Sequence, residues 1–390
     1  MEKKRLLVVY LVLAWILLVL GCGGGGSGDR ADNGSITPTP TPTPTDNTAP
    51  NPFNDDWPEA GNANPEGNCA VPAGAGPENT TVSNTVVGTG TQESCTGEAF
   101  RDAVAAGGII TFDCGPDPVV ITLGQTAKIV NDTGPKTVID GGNKVTLSGD
   151  GQVRILYMNT CDQAQVWTTD HCQNQDHPQL TVQNLTFIDG DATGETMEGG
   201  GGGAIFVRGG RFKIFNCRFF RNECDPMGSD VGGAAVRVLS QYQTLPVYVV
   251  HSTFGGQADL GNFGANGGAL SSIGVSFTVL NSLFSYNQAI GWGDNPKRDN
   301  TPGGGSGGAI YNDGTLFTLN VCGSRFTDNT ANEGGGAIFF VSNPVNNARP
   351  GTLTVDRSYL KGNPSLGFET DPGIFVLADH INYIDSTIEE

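Results

Sequence analysis

Four carboxylates stand close together in one short segment: Asp189, Asp191, Glu195 and Glu198. Calcium takes several carboxylate and carbonyl oxygens, so this loop is the candidate calcium site. The same residues also suit a plain solvated acidic loop. A second group joins a large aromatic ring to mixed charges: Trp292, Asp294, Lys297, Arg298 and Asp299. Such a set suits contact with a glycan or a protein, and Trp292 could equally pack against its own loop. The four His are His171, His177, His251 and His380. None has a Ser or Cys partner that spacing can identify, so no triad and no catalytic residue is assigned.

Cysteine chemistry comes next, with nine Cys in the chain. Cys22 closes an N-terminal segment with a basic start, an apolar run from Leu6 to Leu20, and Gly21. That order reads as a secretory signal over residues 1–21. The apolar run is short for a membrane span. The Gly21-Cys22 junction resembles a bacterial lipobox, which implies Cys22 as the lipidated first residue of an envelope lipoprotein. Gly23 after it points toward the outer membrane. Eight Cys remain, an even number that suits disulfides in an exported chain. Cys95/Cys114, Cys161/Cys172 and Cys217/Cys224 are the candidate pairs. Cys69 and Cys322 stay unassigned. The spacings fit no usual zinc pattern.

Residues 22–68 carry a Gly/Ser run, a Thr-Pro alternation, and then Asn, Pro, Asp and Gly in excess. Flexible coil followed by an extended Pro-rich spacer makes a stalk without a core. The domain is expected over residues 69–390. The chain has 40 Asp+Glu against 21 Lys+Arg, a net charge of −19. Such a surface repels nucleic acid, which is excluded as a partner.

The elements that would position these groups repeat. The step Gly-Gly-Ala-Ile occurs at Gly202–Ile205, Gly307–Ile310 and Gly335–Ile338, with variants at Gly232–Ala235 and Gly267–Leu270. A Phe-x-x-Asn anchor accompanies it at Phe219–Asn222, Phe284–Asn287 and Phe326–Asn329; Phe254–Gln257 and Leu360–Asn363 are close variants. Five and seven residues before each anchor stand apolar residues such as Val279 and Phe277, with polar Thr278 between them. That alternation predicts a half-buried strand in every copy. Three before the anchor stand Asn184, Asn216, His251, Asn281, Gly323 and Arg357. Asn and Gly there predict a left-handed bend, with Asn side chains free to bond along the stack. The Gly pair predicts a second turn with positive φ. Each copy thus reads as three short strands and three corners, with loops of variable length between anchor and Gly step. The expected fold is all-β, a right-handed parallel β-helix of about eight coils. Glu98 to Ala106 reads as a short amphipathic helix capping its N-terminal end.

These residues carry a resemblance. Residues 95–390 are similar to the pectate-lyase-like superfamily of right-handed parallel β-helices. The Gly-Gly-Ala-Ile and Phe-x-x-Asn pairing resembles the repeat of the polymorphic outer-membrane protein family. That likeness implies the fold; it does not imply an activity. The lyases of this fold would bring a Trp-Ile-Asp-His run and an Arg-x-Pro-x-x-Arg run, and both are absent here. Val138 to Gly142 resembles one of their strand-turns and also fits a plain coil corner. The hydrolase elements Asn-Thr-Asp, Asp-Asp and Gly-His-Gly are absent too.

The expected function is therefore adhesion, or glycan or protein binding, by a lipid-anchored protein at the cell surface, without a cofactor unless calcium is held. A polysaccharide lyase or glycoside hydrolase with a divergent site is the first alternative. A structural envelope protein is the second.

Overall fold

Period-2 alternation builds the walls. The computed structural model describes residues 68–195 and 200–390, and Cys22, the stalk and Glu198 lie outside them. Strands Arg211–Phe215, Val247–Val250, Phe277–Leu280, Thr318–Cys322, Thr352–Asp356 and His380–Ile384 pair in parallel, each with the next copy. Phe277 faces Leu319 and Val279 faces Val321. These inward residues are fully buried, as are Leu353 and Val355 beyond them. The strands Arg218–Phe220, Thr253–Gly255, Leu283–Ser285, Arg325–Thr327, Tyr359–Lys361 and Thr387–Glu389 form a second parallel wing of the same sheet. Lys136–Ser148 and Gln179–Ile188 run through both wings.

A second sheet stacks eight strands, from Ala127–Lys128 through Ile205–Arg208 and Ile310–Gly314 to Ile374–Leu377. A third has five strands of two residues each, such as Glu223–Cys224 and Gln288–Ala289. That third sheet is an addition to the expected three strands per copy. All-parallel pairing of successive copies fits a parallel β-helix.

The bend three residues before each anchor is left-handed in every copy, with φ of 54° at Asn184, 52° at Asn216, 49° at His251, 50° at Asn281, 59° at Gly323 and 43° at Arg357. The Gly step behaves differently from expectation in two ways. Only one Gly of each pair has positive φ, for example Gly307 at 69°. Its neighbour Gly308 is needed for room, since a Cβ there would lie 2.0 Å from the Gly336 carbonyl oxygen. The Gly232–Ala235 variant also shifts by one: Val236 pairs with Ile205 and Leu270, so Gly233-Ala234-Ala235 occupies the step.

Among the described residues the single α-helix is Gly97–Ala106. Thr96 Oγ1 accepts from the Ala99 amide at 3.1 Å, and Gly107 closes the other end with φ of 70°. Phe100, Ala103 and Val104 are buried where the helix meets Ala127–Lys128 and Thr85–Val87, the first strands of their sheets. It covers apolar side chains that the stack would otherwise leave open. No helix among the described residues is long and apolar enough to cross a membrane.

Candidate ligand-binding face

The Phe-x-x-Asn anchor fixes where the loops leave. Phe187, Phe219, Phe254, Phe284 and Phe326 form one stack, with ring centroids 4.5 to 5.0 Å apart. The residue before Asn222, Asn287, Asn329 and Asn363 turns left-handed, as at Arg221 with φ of 51° and Tyr286 with 60°. The Asn then points inward. Asn222, Asn262, Asn287, Asn329 and Asn363 form a ladder in which each Nδ2 donates to the next Oδ1 at 2.8 to 2.9 Å. Each Nδ2 also reaches a Phe carbonyl of an earlier copy, as Asn329 does to Phe284 at 2.9 Å. The long ladder lies here rather than at the first bend, where only Asn216 and Asn184 bond side chain to side chain, with Asn143 beside them. In the third copy Asn262 takes the ladder place expected for Gln257.

From this corner the loops run to the second sheet and bond to one another. The Gly194 amide donates to Asp225 Oδ1 at 3.1 Å. The Gly228 amide donates to the Gly303 carbonyl at 3.0 Å. Asn266 Nδ2 donates to the carbonyls of Gly228, Ser229 and Val231. Beneath them an outward column of the second sheet is roofed over: Tyr157, Phe206, Arg237, Tyr311 and Phe339 are buried. Burial pushes the Tyr157 and Tyr311 hydroxyls up and the Arg237 guanidinium down. Arg237 donates to Ser271 Oγ and to the Asp230 carbonyl.

The longest loop, 289–306, is latched. Arg298 donates to both carboxylate oxygens of Glu333, at 2.9 and 2.6 Å. The Gly293 amide donates to Glu333 Oε1 at 2.8 Å. Asn295 bonds the Tyr311 hydroxyl and Asp313. Trp292 is 49% exposed, and Lys297 and Asp299 are exposed with it. Asp294 is half-buried and accepts from Ser306 Oγ; burial raises its carboxyl. The five expected residues therefore divide: Trp292, Lys297 and Asp299 face outward, while Arg298 and Asp294 hold the loop. Glu333, Arg237 and Tyr311 escaped sequence reading. A charged residue directly before the Gly334-Gly335 corner was the available signal for Glu333.

Three of the four acidic-loop residues lie among the described residues. Both oxygens of Asp189 accept from Arg221, at 2.7 and 2.9 Å. Asp191 Oδ1 accepts the Thr193 amide at 2.6 Å. Glu195 lies 3.5 Å from Arg154. Among the described residues no three carboxylates converge, and the one close group, Cys69, Cys322 and Asp356, contains a disulfide. Asp189, Asp191 and Glu195 thus each have a partner of their own, and Glu198 lies outside the described residues. Asp191 and Glu223 do stand opposite each other in the third sheet. Burial, Asp191 and Asp189 raise the Glu223 carboxyl.

No protein-family model, curated protein or solved structure matches this chain.

Cysteine pairing departs from expectation at one pair. Cys95–Cys114, Cys161–Cys172 and Cys69–Cys322 are disulfides. Cys217 and Cys224 are free, buried thiols. They serve different columns. The Cys217 amide donates to Ser252 Oγ at 3.1 Å, the first rung of a run continued by Ser282, Ser324 and Ser358. Cys224 stands beside Gly264, where an added Cβ would lie 2.4 Å from its sulfur. Burial pushes both thiols up to about 12, so neither is a nucleophile at neutral pH.

Proposed function

We propose that this chain is a lipid-anchored, surface-displayed protein that binds glycan or protein through the loop-bearing face. The fold we assign it is the right-handed parallel β-helix of the pectate-lyase-like kind, about eight coils long, with repeats of the polymorphic outer-membrane protein type. The observation that supports binding is the bonding of loops from successive copies into one surface with Trp292 outward. Insertions on one edge of a repeat stack commonly build its binding face. A glycan array and a panel of acidic polysaccharides, with and without calcium, test the reading. Binding without product release is expected; product release would overturn it.

The facing carboxylates Asp191 and Glu223 favour one second reading. Paired carboxyl groups are what glycoside hydrolysis uses. On that reading Asp191→Ala would abolish turnover.

Anchoring rests on Cys22, which lies outside the described residues. Cys22→Ala is expected to move the protein out of the detergent-soluble membrane fraction. Unchanged retention would remove the lipoprotein assignment.

A further inference from the structure

The loop between Leu156–Asn159 and Gln179–Ile188 is closed on itself by the Cys161–Cys172 disulfide. Buried Gln175 ties its arms together. Thr169 Oγ1 donates to Gln175 Oε1 and Gln175 Nε2 donates to the His177 carbonyl, both at 3.0 Å. Asp162 accepts from the Ala164 amide at 2.9 Å and from the Tyr157 hydroxyl at 3.1 Å. The loop is therefore fixed by bonds that do not use its aromatic rings.

Those rings are Trp167 and His177, stacked 5.2 Å apart with planes 5° from parallel. With Asp132, Gly134 and Pro135 they line a cavity of about 240 Å³. Val166, directly before the Trp, has φ of 71° and ψ of −59°, and the Trp167 amide donates to the Gln165 carbonyl at 2.9 Å. This is the strained form of γ-turn, at a β-branched residue. Val166 is 68% exposed, so burial does not offset the strain. Strain of this kind persists where the surroundings over-determine it, and it concentrates at ligand sites.

We propose that this cavity binds one pyranose ring of a neutral saccharide, with the Trp167 indole as platform and Asp132 accepting hydroxyl hydrogens. The volume lies below the range of about 300–1,000 Å³ for drug-sized ligands, which suits a single ring. Asp132 is exposed and His177 is the lining residue that can carry positive charge, so an anionic ligand finds little to pair with. A quaternary ammonium wants aromatic faces on several sides. Two parallel rings offer one flat face. The site is separate from the 289–306 loop, so it stands or falls independently of the loop-face reading.

The test titrates the full chain in detergent with methyl glucopyranoside, methyl galactopyranoside, N-acetylglucosamine and tetramethylammonium, following indole N–H resonances. At least one pyranoside should saturate with a Kd on the order of millimolar, as expected for so small a ligand. Trp167→Ala should weaken it at least tenfold, and Trp167→Phe and Asp132→Asn by a few-fold. Failure of every pyranoside, or saturation by tetramethylammonium alone, would overturn the proposal. So would wild-type affinity in both Trp167→Phe and Asp132→Asn, two changes that spare the loop's disulfide and its Gln175 bonds.

Discussion

Phe284 carries the register at the scale of single residues. It is fully buried and lies 4.7 Å from Phe254 on one side and from Phe326 on the other. Phe284→Ala removes a ring from a stack whose neighbours are held by their own strands, so the cavity cannot collapse easily. A loss of about 3–5 kcal/mol is expected in denaturant unfolding. A loss below about 1 kcal/mol would mean the stack tolerates the gap and the column adds little. The anchor motif itself was legible in the sequence because the Phe and Asn types recur. The roles of the two residues between them were not. Arg221 and Tyr286 adopt positive φ with no Gly or Asn to announce it. Cys217 misled for a similar reason: its closeness to Cys224 in sequence suggested a pair, while the neighbouring Ser rungs assign it to a column.

At the scale of elements, the strands and the helix followed from alternation and capping, but the latch of the 289–306 loop did not. It depends on Glu333, a residue from the following copy, and sequence order does not reveal which loops meet. The latch has a pH signature. Hydrogen bonds from Arg298 hold the Glu333 carboxyl below its ordinary 4.5. A lowered folded pKa gives a contribution that is full above the unfolded value and is lost as pH falls through the folded one. Burial acts the other way on Asp294, whose carboxyl is raised, so its charged form is disfavoured in the folded loop until acid neutralises it. Protection of the Gly293 amide relative to a free amide should therefore hold or rise as pH falls from neutrality through the raised Asp294 titration, then be lost as pH falls through the lowered Glu333 titration. Monotonic loss of protection from pH 7 downward would place control elsewhere.

On the scale of the whole molecule, the segment before the first strand straps the stack. Cys69 is bonded to Cys322, 253 residues away. The Cys69 amide donates to Asn281 Oδ1 and Asn281 Nδ2 donates to the Cys69 carbonyl, both at 2.8 Å. Lys213 Nζ donates to the Gly74 and Gly76 carbonyls, Gln183 bonds the backbone of Glu78 in both directions, and Thr80 Oγ1 donates to Asp140. This is also what Asp140 of the Val138–Gly142 turn does. Residues 69–80 are thus bonded to strands of several copies, with Cys322 the farthest in sequence. Sequence left Cys69 and Cys322 unassigned because nothing local links them. A loop this long is strongly constrained in the unfolded chain, so Cys322→Ser should cost about 5 kcal/mol by the chain-entropy estimate. It should also open residues 69–80 to protease, and an unchanged unfolding midpoint with an intact strap would contradict this.

The central claim is that the loop face binds and that binding is the function. The most direct measurement pairs a glycan array with a product-release assay on three proteins: wild type, a variant with residues 289–306 cut to a few, and Asp191→Ala. The copies already tolerate loops of unequal length, and loop length costs little in stability, so the shortened variant should fold. Wild type and Asp191→Ala should bind alike, the shortened variant should lose binding, and none should release product. Cleavage by the wild type that Asp191→Ala abolishes and the shortened variant keeps would contradict the account.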